Sequence, residues 1–257
     1  MSTPGAIRVM EREARVFACL WRGLVLSTVV SPVLFLAAMG LGLGGLVKAH
    51  TGTVAGLSYL DFVAPGLMVA SAMQIAANEA MWPVLGGVKW VSNFHAAVAT
   101  SITAGDVAVG YLLWVVARAI GASIVFLVVA ALLGAVPSAW GVLAVPAAAL
   151  CAAAFAAPLC AYSVRLDSDV SFPVIFRVGV LPLFLFSGTF FPISQLPSGL
   201  RPLAALSPLW HGVELARGAA TGRLHLGADI VHVLVLLACA GAGLLWGRRT
   251  FTRRLTS

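Results

Sequence analysis

Two ionisable residues lie well inside long apolar runs of this chain: Glu79 and Arg118. Burying a charge in hydrocarbon is costly, so residues of this kind are candidates for function. Glu79 stands seven residues before Gly86 and Arg118 twelve residues after Asp106. At 1.5 Å per helical residue these offsets place them roughly 10 Å and 18 Å from the nearer ends of their runs. If the two runs are antiparallel neighbours, the long arginine side chain reaches the carboxylate. A structural ion pair is the leading reading, a place in a substrate path the second, and lipid-facing snorkelling the third. A proton relay calls for more carboxylates at mid-depth than this one.

Other constellations are sparser. His211-Gly-Val-Glu214 has helical metal-ligand spacing, with Arg217 following on the same face. One His and one Glu do not make a metal site, so a polar stripe on a short helix is expected and no metal. No phosphate-binding loop occurs, and the dipeptide Gly-Lys is absent altogether. The chain therefore has no recognisable means of hydrolysing ATP and is not expected to be an enzyme or to hold a cofactor. Trp90, Phe94 and His95 cluster in one polar connection, either as interfacial anchors or as contacts for a partner; both readings stay open. Cys19, Cys151, Cys160 and Cys239 lie in or beside apolar runs and read as packing residues, with no disulfide expected.

The elements that position these residues follow from composition. Of 257 residues, 61% are hydrophobic and 10% charged, and the mean hydropathy is +1.02. A soluble domain carries about 25% charged residues, so the solvent around most of this chain is lipid. Apolar runs of about 20 residues or more mark six spans, at 24–47, 62–85, 107–133, 141–164, 171–191 and 230–246. Gly40 and Gly44 at the end of the first have the spacing of a close helix approach, or of a flexible helix end. Before the first span, Ser2-Thr3-Pro4 starts a helix in which Ile7, Met10, Ala14, Phe17 and Trp21 recur at helical spacing. Over 4–22 this predicts an amphipathic interfacial helix; the alternative is an extended start of the first span. Arg8, Glu11, Arg12, Glu13 and Arg15 occupy the place of a signal peptide's apolar core.

Sixteen Lys and Arg against nine Asp and Glu give a net charge of +7. In a soluble protein that balance suggests nucleic acid, but here its placement favours a membrane face. Arg8, Arg12, Arg15, Arg22, Lys89, Arg165, Arg177, Arg248, Arg249, Arg253 and Arg254 fall on one side; Lys48, Arg201, Arg217 and Arg223 fall on the other. The bias puts both termini in the cytoplasm, as an even number of spans requires. The cytoplasmic connection 86–106 reads as a short amphipathic helix. The external segment 192–229 is apolar and broken by Pro192, Pro197, Pro202 and Pro208. Such a segment is expected to fold back into the outer leaflet as two short re-entrant helices capping the bundle.

So arranged, the chain resembles the permease subunits of type-2 ABC exporters, and above all the nodulation-factor (lipo-oligosaccharide) and daunorubicin-resistance permeases. One stretch carrying the resemblance is Asn78-Glu-Ala-Met-Trp-Pro-Val-Leu-Gly-Gly-Val-Lys-Trp, continuing through Phe94-His-Ala-Ala-Val-Ala-Thr to Gly110-Tyr-Leu-Leu-Trp-Val-Val-Ala-Arg118. The more specific one is Phe186-Ser-Gly-Thr-Phe-Phe-Pro-Ile-Ser-Gln-Leu-Pro, continuing to Leu206-Ser-Pro-Leu-Trp-His-Gly-Val-Glu-Leu-Ala-Arg217. It includes Gly188, Pro192, Pro208, His211 and Glu214.

The resemblance implies a single all-α transmembrane domain of six spans over 1–257. It implies two permease chains, identical or related, in the plasma (inner) membrane, driven by two cytoplasmic ATPase subunits that hold ATP and magnesium. It implies a coupling helix around Val91 to Thr100, with Trp90, Asn93, Phe94 and His95 as the docking group. The run Trp90-Val-Ser-Asn-Phe-His-Ala is less polar than is usual in that family. A mostly apolar pathway suits a lipidic or amphiphilic cargo such as a drug, a glycolipid or a lipo-oligosaccharide.

Two other classes compete. A secondary transporter normally shows broken helices at matching places in inverted halves, and no such repeat is seen. A membrane-embedded lipid-modifying enzyme needs a cluster of carboxylates or histidines near a membrane face, for which His211 with Glu214 is too sparse.

Overall fold

The computed structural model describes residues 4–38, 53–54 and 56–256. The described residues form helices α1 (Gly5–Ala37), α2 (Tyr59–Lys89), α3 (Asn93–Val98), α4 (Ala104–Leu132), α5 (Ala144–Ser163) and α6 (Phe172–Phe186). These are followed by α7 (Arg201–Leu206), α8 (Pro208–Thr221) and α9 (Leu226–Leu255). Among the described residues there is no strand, only an isolated bridge between Val54 and Leu57.

Helix starts follow local chemistry. Ser58 caps α2 by accepting from the Asp61 amide at 3.2 Å. Thr103 and Asp106 cap α4 reciprocally, each side chain accepting from the other's amide at 3.1 Å. Pro4 precedes the first turn of α1. Ser2 and Thr3, assigned to that start, lie outside the described residues.

Helix α2 is the centre of the bundle: residues on all its faces, from Phe62 and Val63 to Met81 and Val84, are buried. Its principal neighbours are α5 and α4, while α9 packs along α5 and α1 along α4. The alanines of α5 permit this closeness. At Gly243 of α9 an added Cβ would come within 2.6 Å of Pro158, so only a hydrogen fits where the two helices cross. Outward faces are apolar, with Leu113, Ile124, Val128 and Leu132 on α4 and Ile230, Leu234, Leu237 and Leu245 on α9 exposed. A belt of this extent needs lipid around it.

Among the described residues four helical stretches are long and apolar enough to cross a membrane: Tyr59–Lys89, Ala104–Leu132, Ala139–Ser163 and Leu226–Leu255. They overlap the spans expected at 62–85, 107–133, 141–164 and 230–246, the second and third ending one residue earlier than expected. The remaining two expectations meet a different geometry. The interfacial helix of 4–22 and the start of the span at 24–47 are one unbroken helix through Ala37. The rest of that span, with Gly40, Gly44 and Lys48, lies outside the described residues. In place of a span at 171–191 stands α6, a 15-residue apolar helix. That is about 22 Å, short of the ~30 Å hydrocarbon core. Its middle, Ile175–Val180, is wound as a π-helix, and Ser187 to Phe191 leave the helix. Trp82 of α2 ties it to the bundle through Phe172 and Phe176, with ring centroids 5.2 and 5.9 Å away.

The ends of the bundle are distinct. At one end, α1 begins against Asp106 of α4. There too, α2, α5 and α9 finish together around Asp167, which pairs with Lys89 at 2.9 Å and with Arg254 at 2.6 Å. At the other end lie the link from α4 to α5, joined to α8 by the Ser138 amide donating to the Ala220 carbonyl at 3.1 Å, and helices α7 and α8.

Candidate functional site

Three groups of polar residues picked out by the sequence lie along the bundle among the described residues. In the first, Arg118 of α4 donates from Nη1 to Oε1 of Glu79 on α2, an ion pair that crosses between the helices. The two side chains are only 17% and 18% exposed. The Arg118 guanidinium also sits over the Phe17 ring of α1, 4.9 Å from its centroid. Beside it, the Tyr111 hydroxyl donates to the Glu79 carbonyl at 2.9 Å. Three helices are thereby joined at one depth. A carboxylate thus meets the arginine's charge and an aromatic ring covers its face. Glu13 of α1, paired with Arg12 and 14% exposed, is the acidic neighbour the sequence pattern did not place inward.

The second group is the connection between α2 and α4, where the four expected docking residues part company. Phe94 points into the bundle, 2% exposed. Its ring packs edge-on against Tyr111 at 5.5 Å and lies 6.0 Å from Phe251 of α9. Gly87 makes the room: an added Cβ there would come within 2.7 Å of the Phe94 ring. Asn93 is half-buried, with an Oδ1 that finds no hydrogen-bond partner among the described residues. Trp90 is 65% exposed and Val91 70%, and His95 is exposed beside them. Ser92 holds this turn in the left-handed region, at φ 56°. Next to it, Asp167 is held below the usual carboxylate range by hydrogen bonds from Lys89 and Arg254.

The third group is at the opposite end. Ser207 caps α8 by accepting from the Leu209 amide at 3.2 Å, and Pro208 occupies the first turn, where no amide is needed. Arg217, 8% exposed, is the hub of this end. It donates to Glu214 at 2.8 Å, to the Gly188 carbonyl at 2.6 Å and to the Phe62 carbonyl at 3.2 Å. Gly188 is at φ 80°, a conformation that glycine adopts without strain, and this turns its carbonyl to the guanidinium. Burial draws the Arg217 pKa down to about 10, with Glu214 opposing.

Six residues before Arg217 on α8, His211 Nδ1 lies 2.6 Å from His232 Nδ1 of α9, and Trp210 packs against both rings. Burial, then the neighbouring His232, lowers the His211 pKa. Pro192, Trp210, Glu214, Arg217 and His232 line a common cleft of about 370 Å³. Among the described residues no group of three or more His, Cys, Asp or Glu could hold a metal. Of the motif residues picked from sequence, Gly188, Glu214 and Pro192 thus converge through Arg217 and this cleft, and His211 turns to α9. His232 carries no local signal, because its partner is 21 residues away; Glu214 and Arg217 signalled their contact by their spacing of three.

Residues 9–220 match the family model described as ABC-2 type transporter. The chain is 30% identical over 217 residues to Nodulation protein J of Rhizobium leguminosarum bv. viciae, covering 82% of each chain. It is 30% identical over 249 residues to Nodulation protein J of Bradyrhizobium diazoefficiens, covering 90% of this chain and 93% of that one. Against Nodulation protein J of Sinorhizobium fredii the identity is 32% over 218 residues, 82% and 81% of the two chains.

Proposed function

The chain belongs to the ABC-2 type transporter family, and on that premise we propose that it is the permease subunit of an ATP-driven exporter whose ATPase is a separate cytoplasmic chain. The observation that carries this reading is the ledge between α2 and α4. Trp90, Val91 and His95 are exposed there, on a turn that the buried Phe94 pins to the bundle. A large aromatic held outward on a rigid base is what a docking surface needs, because little freedom is lost on binding. Docking therefore falls to Trp90, Val91 and His95, and Phe94 positions them.

The charge bias supports placing this end, with both termini, in the cytoplasm of a cell bounded by the plasma membrane. The opposite end then faces outward, with α7 and α8 covering the bundle from the outer leaflet and α6 entering it incompletely. The paired state of Glu79 and Arg118 speaks against a proton relay and so against a secondary transporter. Two permease chains, identical or related, would enclose the path. Its apolar walls suit an amphiphilic cargo such as a drug, a glycolipid or a lipo-oligosaccharide.

The test is affinity purification of the full chain from its own cells, with ATPase activity measured in the eluate and ATP-driven export measured in vesicles. Trp90→Ala with His95→Ala is expected to remove both activities while leaving the chain in the membrane. Transport by the purified chain down a proton gradient, without an ATPase, would overturn the proposal.

A further inference from the structure

We propose that a cleft between the ends of α5 and α9 binds the phosphate of an anionic membrane lipid. The cleft has a volume of about 440 Å³ and is lined by Arg165, Trp246, Arg249, Thr250, Arg253 and Arg254. Four guanidinium groups and no carboxylate form this lining. Arg254 is engaged by Asp167 at 2.6 Å. Arg165, Arg249 and Arg253 are exposed and make no ion pair among the described residues.

Arg249 and Arg253 stand four residues apart on one face of α9, where like charges repel. Without an anion between them this wall works against itself. Arginine's planar fork matches a phosphate in two hydrogen bonds, which makes phosphate the fitting anion.

The source of that phosphate follows from where α9 changes character. Its apolar face, exposed at Leu234, Leu237 and Leu245, stops at Trp246, which is 39% exposed, and the arginines begin two residues later. An exposed tryptophan at the end of an apolar helix, followed by arginines, marks headgroup depth. A lipid lying along α9 would place its chains on the leucines and its phosphate in the cleft. The polar hydrogen of Thr250 is already given to the Trp246 and Gly247 carbonyls, at 3.1 and 3.0 Å, so recognition falls to the arginines.

The inference rests on α9 crossing a bilayer, and needs no ATPase. Native mass spectrometry of the full chain, given equal phosphatidylglycerol and phosphatidylcholine, reads it directly. The unaltered chain is expected to retain phosphatidylglycerol in preference, with millimolar inorganic phosphate failing to displace it. An arginine near an anionic surface is worth on the order of 1 kcal/mol, so R165Q/R249Q/R253Q together should weaken retention by about 100-fold. The same three positions changed to Lys should keep most of it, which separates loss of charge from loss of fold.

Equal retention by the glutamine variant would overturn the site. Displacement by inorganic phosphate would assign it to a free anion. Loss of ATPase co-purification with unchanged lipid retention would assign the arginines to the partner chain. Each of these outcomes sinks the lipid site and leaves the permease reading standing. Preserved lipid preference in a chain that exports without an ATPase would do the reverse.

Discussion

The guanidinium of Arg217 lies 3.9 Å from the centroid of the Phe62 ring while its Nε donates to the carbonyl of the same residue. One side chain thus ties α8 to the first turn of α2 and, through Gly188, to the turn after α6. Replacing it with Ala leaves two buried carbonyls and the Glu214 carboxylate without their donor. Glu214 is 38% exposed and water can take over its bond, but each buried carbonyl left without a donor costs roughly 1–3 kcal/mol. Arg217→Ala should therefore lower the thermal midpoint of the detergent-solubilised chain by several degrees. Arg217→Lys should recover less than half of the loss, because an ammonium cannot meet three acceptors in one plane. A midpoint unchanged by either substitution would show that this end is held by other contacts.

The contact between Glu79 and Arg118 is tested by a double-mutant cycle. Glu79→Arg or Arg118→Glu alone places two like charges among α1, α2 and α4, and each should cost a few kcal/mol. The combined reversal restores an ion pair and should recover on the order of 1 kcal/mol beyond additivity, read from unfolding in mild detergent. Losses that simply add would argue against the contact.

The facing nitrogens of His211 and His232 predict a pH dependence. At 2.6 Å only one of the two Nδ1 atoms has room for a hydrogen directed at the other, and protonating both rings would set two cations in contact. The His211 pKa is lowered in the folded chain, by burial first and by His232 second. A folded pKa below the unfolded one means that stability is full above the ordinary histidine value, about 6.5, and falls as the pH drops below it. The thermal midpoint should be flat from about pH 8 to 7 and decline toward about pH 5.5. His211→Gln should remove that part of the decline, and an unchanged slope in that variant would rule the pair out as its source.

The places of α2, α4, α5 and α9 were legible in the sequence because a 20-residue apolar run has few alternatives. Glu79 and Arg118 were legible as a pair for a related reason: each was the lone charge in its run. Where burial is decided by neighbours, reading fails. The apolar run after Ser171 looks like a span, yet it is a 15-residue helix with a π-wound middle that leaves helical geometry at Ser187. Nothing local distinguishes Phe94 from Trp90. Both are aromatics in a polar connection, and only the space above Gly87 and the ring of Phe251, far along the chain, draws Phe94 inward. The hub role of Arg217 was hidden similarly, since its two carbonyl partners lie 29 and 155 residues away.

The separation of Phe94 from Trp90 leads to a last prediction, in which stability and coupling move independently. Phe94→Ala empties a fully enclosed site between Tyr111 and Phe251, and such a truncation costs about 3–5 kcal/mol. It should lower the thermal midpoint and, by releasing the turn at Ser92, also weaken ATPase docking. Phe94→Leu keeps most of the volume and should recover most of both. Trp90→Ala removes an exposed ring, so stability should stay within about 0.5 kcal/mol of the unaltered chain. Docking should nonetheless fall at least ten-fold, as expected of an aromatic anchor worth about 2 kcal/mol. Binding of the ATPase subunit to immobilised chain, measured beside the unfolding midpoint, separates the two. If Trp90→Ala binds as tightly as the unaltered chain, the ledge is not the docking surface. If Phe94→Ala weakens docking with no change in midpoint, Phe94 touches the partner itself, contrary to its buried place against Tyr111.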